Sequence, residues 1–206
     1  MDEARSVREF WLGRAPLSAA GLNNRMRFWF GAEDSELGRR RDEHIRARFG
    51  ALLERAAAGA LAGWADGPRR RLSLIIVLDQ FPRNLFRGST RAFAYDSQAL
   101  ALTLSGMQSA ADAALQPVER LFFYMPLQHA ENREVQEESV AAYRRLLREA
   151  PQELREPFAG AVRSAENHHA IVERFGRFPY RNRVLGRPST PEETEWLKEG
   201  GERFGQ

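Results

Sequence analysis

The chain has 206 residues, enough for one domain with a substantial core, and its 43% apolar and 29% charged content is that of a globular protein, not a disordered one. With no cysteine, disulfides, cysteine-ligated zinc and thiol catalysis are excluded. The net charge is only +3 and Lys198 is the only lysine, so cationic contacts fall to arginine, whose planar fork suits carboxylate and phosphate.

The start, Met1-Asp2-Glu3-Ala4-Arg5, lacks the basic-then-apolar order of a signal peptide. No window approaches the ~20 apolar residues that cross a bilayer, which predicts a soluble cytoplasmic protein with no membrane partner. Ser6 is positioned to cap a short helix through Val7, Phe10, Trp11 and Leu12 that ends near Gly13 and Pro16. Leu22 to Phe30 repeats the local pattern, Phe10-Trp11-Leu12-Gly13 being answered by Phe28-Trp29-Phe30-Gly31. Paired aromatics beside a glycine anchor a helix end in the core. From Asp34 to about Gly59 the apolar residues Leu37, Ile45, Phe49, Leu52, Leu53 and Ala56 recur at helical period, with His44 on the surface. Gly63 to Pro68 reads as a loop.

The run Leu72-Ser73-Leu74-Ile75-Ile76-Val77-Leu78-Asp79-Gln80-Phe81 is the most apolar in the chain. Its β-branched residues favour a strand on propensity, yet no second strand-like run exists to pair with it. A helix that is apolar on nearly all faces is a central, buried one, and Pro82 is expected to end it. Arg87-Gly88-Ser89-Thr90 reads as a turn, with Ser89 or Thr90 capping a helix to about Ser105. Further helices follow over Val118 to Leu127, opened by Pro117 and kinked or stopped by Pro126, then over Glu131 to Ala150, closed by Pro151. Glu156 to Phe175 ends at Gly176, and Pro191 opens a short last helix through Trp196 and Leu197. The prediction is a single all-α domain over 1–206, with eight or nine helices in antiparallel hairpins arranged as a bundle or a solenoid.

The break Phe81-Pro82-Arg83-Asn84 has an echo in Phe178-Pro179-Tyr180-Arg181-Asn182, one echo being too few to establish a repeat. Leu78-Asp79-Gln80-Phe81-Pro82-Arg83-Asn84-Leu85-Phe86-Arg87-Gly88 with Arg91-Ala92-Phe93-Ala94 resembles the hallmark of a bacterial family catalogued as a domain of unknown function. Pro117-Val118-Glu119-Arg120, Tyr124-Met125-Pro126-Leu127 with His129 and Glu131, and Arg174-Phe175-Gly176-Arg177-Phe178-Pro179 extend the resemblance. His168 and Gly186-Arg187 with Ser189-Thr190-Pro191-Glu192-Glu193 complete it, from roughly Val7 to Leu197. The resemblance implies a compact α–α superhelix similar to tetratricopeptide repeats and no particular reaction. Two positions depart from the family's pattern: Ala130 stands where it has serine and Tyr180 where it has histidine.

Candidate chemistry gathers at the two proline breaks. Cations and amides there can satisfy a helix C-terminus, or Arg83, Arg87, Arg177 and Arg181 with Asn84 and Asn182 can converge on a carboxylate or phosphate. Asp79, with Gln80 beside it, opposes the helix dipole and calls for Arg83 or Arg87 as counter-ion, or else serves as a general base. His129, with Glu131 close by, and His168, beside the apolar stripe of its helix, are the remaining candidates for proton transfer. Glu166-Asn167-His168-His169 holds one Glu-x-x-His, but di-iron helices need two such motifs and two further carboxylates, so no metal is expected. No phosphate-loop or dinucleotide fingerprint and no Gly-x-Ser-x-Gly elbow is present, so no cofactor is expected either. Arg39-Arg40-Arg41 and Arg69-Arg70-Arg71 lack interleaved aromatics, which argues against nucleic acid. The expected ligand is a small anionic metabolite in an enclosed Arg/Asn/His pocket, with or without acid–base catalysis. The alternative is a tetratricopeptide-like module that grips a peptide carboxylate in an open groove.

Overall fold

The computed structural model describes residues 2–14, 19–31 and 35–204. The first three helices are α1 (Glu3–Leu12), α2 (Ala19–Phe30) and α3 (Glu36–Ala57). Asp2 caps α1 through its carboxylate, accepting from the Ala4 N–H at 3.1 Å, so Ser6 lies a turn inside the helix and is not the cap. An acid at this position also complements the helix dipole. Pro16 and Asp34, the expected limits of the first and third helices, lie outside the described residues. Trp11 and Trp29 are the aromatic anchors the repeat predicts: the Trp29 indole N–H donates to Trp11 O at 2.8 Å, and both rings pack on Phe122. Phe30 and Leu37 depart from the pattern, at 54% and 46% exposure. His44 is at the surface as expected, where it stacks on Phe10.

The stretch read as a loop contains a 3-10 turn, Ala62–Asp66, that buries Trp64. Pro68 then opens α4 (Pro68–Ile75), where its missing N–H costs nothing. The helix continues as a π-helical turn, Ile76–Gln80, and on through α5 (Phe81–Leu85). Pro82 therefore does not end it. A proline ring clashes with the carbonyl four residues earlier; the wider turn, in which Phe81 N–H reaches back to Ile76 O, absorbs that conflict upstream. Leu72, Ile75, Ile76, Val77 and Phe81 are fully buried, so this rod is the central helix its composition predicts.

Beyond a 3-10 turn at Thr90–Ala92, which Ser89 caps, come α6 (Asp96–Gln108), α7 (Pro117–Phe123) and α8 (Met125–His129). The helix expected from the Ser89-Thr90 cap thus starts later, at Asp96. The chain continues through α9 (Arg133–Glu149), α10 (Arg155–Phe175) and α11 (Pro191–Lys198). The central rod is surrounded by α1, α3, α6 and α7, and α9 and α10 pack along their lengths as a hairpin turned at Pro151. Taking α4–α5 and α7–α8 each as one bent rod gives nine helices, with 77% of residues helical and no strand among the described residues. No described helix is long and apolar enough to cross a membrane.

The crossing of α6 over the rod is set by Gly106, which is buried against Phe123 and Arg71. A Cβ there would lie 2.5 Å from Phe123 Cζ and 2.8 Å from Arg71 Cδ. Valine at this position must push apart two packed helices, which costs about 1–3 kcal/mol. Urea unfolding of Gly106→Val should therefore give a lowered midpoint at unchanged m-value.

Candidate functional site

The π-helical turn turns a carboxylate inward. Asp79 has no solvent exposure, and such a group must be paired and hydrogen-bonded to stay ionised. Its Oδ1 lies 2.6 Å from His129 Nδ1, its Oδ2 accepts from Gln80 Nε2 at 2.6 Å, and Arg83 Nη1 is 3.2 Å from Oδ1. Burial pushes the Asp79 carboxyl up, but the Arg83 charge and the hydrogen bonds donated by His129 and Gln80 outweigh it and hold the group well below the usual carboxylate range. Burial and the Arg83 charge pull the His129 imidazole down against the attraction of Asp79. The pair is accordingly an ionised Asp79 and a neutral His129 whose Nδ1–H donates to the carboxylate. Its Nε2 has no hydrogen-bond partner among the described residues.

His129 is the last residue of α8, a helix restarted by Pro126 after the bend at Tyr124. The fully buried amide of Gln136 donates to three carbonyls around it, Leu127 at 3.3 Å and Gln128 and Ala130 at 2.7 Å, while Arg181 Nη1 donates to His129 O at 3.1 Å. The backbone under the imidazole is thus fixed from two sides. His168 stands across from it on α10, with ring centroids 6.3 Å apart. Its Nδ1–H donates to Ser164 O at 2.8 Å, which assigns the tautomer and leaves Nε2 as an acceptor. Burial, joined by repulsion from Arg181 and Arg83, overrides that bond and pulls His168 down to about 3.

Both histidines line one cavity of about 700 Å³, together with Gln80, Arg83, Asn84 and Arg87 from the rod. Trp29 and Phe30 of α2, Arg41 of α3, Met125, Gln128 and Ser164 complete the walls, with Arg203 and Phe204 from beyond α11.

The sequence matches the family model for a bacterial protein of unknown function (DUF924) over residues 7–201. The chain belongs to this family. The resemblance read from its motifs is thereby borne out. The solved structure of a protein of unknown function, ATU0120 from Agrobacterium tumefaciens, is similar: it is 34% identical, with 96% of this chain and 97% of that one aligned at a TM-score of 0.77. No curated protein matches the chain.

In this DUF924 chain the two Phe-Pro corners do approach each other, but through a shared acid. Arg83 grips Asp96 with both Nη atoms, at 2.7 and 2.8 Å, and Arg181 Nη1 lies 3.5 Å from the same carboxylate. Arg181 is buried between the rings of Phe93 and Phe178 and does not face the cavity. Arg83 also donates to Asp79 O and Asn84 to Gln80 O, the carbonyl-capping role considered for them from sequence. Arg87 does not serve Asp79; it pairs with Asp42 on α3. The rest of the second corner is a separate lock. Arg177 binds Glu193 at 2.6 and 2.8 Å, Asn182 donates to the same acid at 3.1 Å, and Glu131 takes a bidentate contact from Arg187 at 2.6 and 2.8 Å. Arg177, Asn182 and Glu131 are therefore not brought to the cavity. Glu166 of the Glu-x-x-His motif pairs with Arg144 on the surface.

Sequence reasoning missed Asp96, Gln136 and Gln128, none of which carries a local signal beyond its motif neighbours, and the cavity residues Ser164, Arg203 and Phe204.

The neutral His168 gives stability a pH dependence. In the unfolded chain it takes up a proton near its ordinary value of 6.5, whereas in the fold it does so only at about 3, so stability falls as pH drops between those values. The slope approaches about 1.4 kcal/mol per pH unit for this proton alone. Urea unfolding at pH 7, 6, 5 and 4 should show His168→Gln with a flatter pH profile than the parent chain; identical profiles would exclude a buried neutral imidazole here.

Proposed function

We propose that the cavity binds a small anionic molecule and that His129 acts on it as a general base through Nε2. The observation that carries this reading is the Asp79–His129 pair, in which a buried carboxylate fixes the imidazole tautomer and leaves the bare nitrogen at a cavity wall. A base oriented by a third group within hydrogen-bond reach is the arrangement that proton abstraction requires. Asp79 orients the ring and stabilises the imidazolium that forms, without itself taking the proton. His168 offers a second lone pair to the same molecule, as an acceptor for an O–H or N–H rather than as an acid, because it stays neutral.

The ligand's charge follows from the walls. Arg41, Arg83, Arg87 and Arg203 line the cavity and, among the described residues, no carboxylate does. Asn84, Gln80 and Gln128 add amides for orientation, and Trp29, Phe30 and Met125 an apolar side, the mix expected of a small-molecule site. A tetratricopeptide-like module gripping a peptide carboxylate would present its polar residues in an open groove. The buried Asp79–His129 pair behind the wall and the 4% exposure of His168 favour a recessed small-molecule site over such a groove.

The test begins with a thermal-shift screen of small carboxylates and phosphate esters, followed by NMR of each hit for turnover or solvent deuterium incorporation. His129→Gln should retain binding of the hit and lose about 10²–10⁴-fold in rate. Asp79→Asn should also lose rate, since the amide can hold the wrong tautomer. Full turnover in His129→Gln would sink the assignment.

A further inference from the structure

The arginines that the sequence motifs single out are already committed. Arg83 is neutralised by Asp96 and Asp79, Arg181 by Asp96, Arg87 by Asp42 and Arg177 by Glu193. Arg41, the other motif-independent guanidinium in the wall, is buried and binds Asp42 through Nε and the Phe28 and Trp29 carbonyls through Nη1. Such pairs can orient a ligand but have spent most of their field on their own counter-ions.

Arg203 differs from all of these. It lines the cavity, it is exposed, and its one hydrogen bond is a long contact of 3.4 Å from Nη2 to Leu197 O. It has no carboxylate partner among the described residues. The backbone that brings it there is built for the purpose. After α11 the chain reverses at Gly200, whose φ of +93° is in the region that favours glycine. Gly201 then lies so close to the Trp196 indole that a Cβ would fall 2.5 Å from the ring, with its N–H donating to Trp196 O at 2.9 Å. Asn167 of α10 donates to Glu202 at 3.0 Å, and Phe204 stacks on His168 at a centroid distance of 3.6 Å and meets Tyr180 edge-on at 5.9 Å.

We infer that the segment Gly200 to Phe204 is a strap that completes the ligand site: Arg203 supplies the guanidinium that contacts the anion, and Phe204 closes the cavity over His168. This rests on the reading of the cavity as an anion site. The strap is tied down by the Asn167–Glu202 bond, the long Arg203–Leu197 O contact, the rings of His168 and Tyr180 against Phe204, and the Gly201 contact, few enough for it to lift to admit a ligand and be drawn back by the charge of the anion it binds.

Two measurements test this. The first is calorimetric titration of inorganic phosphate and of malonate at low ionic strength into the parent chain, Arg203→Ala and Arg203→Lys. Arg203→Ala should weaken binding about tenfold or more, because a charge-assisted contact to the anion is lost. Arg203→Lys should keep most of the affinity, and the melting temperature of both should match the parent's, the side chain being exposed. The second is the rate of carbethoxylation of His168 by diethyl pyrocarbonate, mapped by peptide mass, which Phe204→Ala should raise severalfold without any anion present. Anions that bind the parent and Arg203→Ala equally overturn the role of the strap and leave the cavity reading standing. If neither anion binds the parent, both fall. An unchanged His168 rate in Phe204→Ala overturns the closure.

Discussion

The buried carboxylate of Asp79 is the constraint around which the centre of this molecule is arranged. An ion without solvent exposure inside an apolar helix is costly unless its surroundings replace the water it has lost. Here they do so with His129, Gln80 and Arg83. Arg83 is itself buried and needs a second acid, which is Asp96 at the start of α6; Asp96 then takes Arg181 from the far corner. The result is a line of alternating charge, Asp79–Arg83–Asp96–Arg181, that the neutral His129 closes, donating from its ring to Asp79 and accepting at its carbonyl from Arg181. Four separate segments of chain are held by this one ring. Removing any ionised member leaves its neighbours one partner short, so the ring is both the mechanical frame of the site and the reason its histidine stays in one tautomer.

Much of the fold was legible in the sequence because it rests on periodicity and composition. The stripes of α3, α9 and α10 read directly as one buried face, and an apolar run without a partner strand could only be a central helix. What was not legible depends on distances that local pattern does not carry. The π-helical turn at Ile76–Gln80 is a change in hydrogen-bond phase, and a proline two residues past its end reads equally well as a stop. The pairing of the arginines was likewise hidden. Arg87 finds Asp42, 45 residues away in the chain, and Arg177 finds Glu193, 16 residues away. A motif that shows four arginines beside two proline corners shows the cations and not the acids that neutralise them. The expectation of guanidinium groups converging on an empty space was right about the convergence of Arg83 and Arg181 and misjudged what fills the space, which is Asp96.

The two corners therefore do different work despite their similar spelling. Phe81-Pro82-Arg83-Asn84 lies within a continuous helix and places Gln80, Arg83 and Asn84 on a cavity wall. Phe178-Pro179-Tyr180-Arg181-Asn182 follows a helix that has ended in a left-handed glycine, Gly176, and its polar groups divide, Asn182 fastening α11 through Glu193 and Arg181 joining Asp96 and His129 O. The difference arises upstream. The first corner has a widened turn to accommodate its proline, and the second has a glycine that lets the chain leave the helix before the proline is reached.

The two departures from the family's pattern bear on how this member is able to work. Ala130 has no proton to exchange, and its carbonyl is taken by Gln136. On the reading proposed above, His129 is then the side chain at this end of α8 that can take the proton. Tyr180, which the resemblance reads as replacing a histidine, accepts through its hydroxyl a bond from Arg181 Nε at 3.3 Å while its ring meets Phe178 and Phe204. An imidazole beside Arg181 would be a smaller ring under pressure to stay neutral. The phenol presents a larger apolar face to Phe204. In this chain the substitution exchanges a titrating group for a packing surface, and the surface it provides is the one on which the C-terminal segment sits.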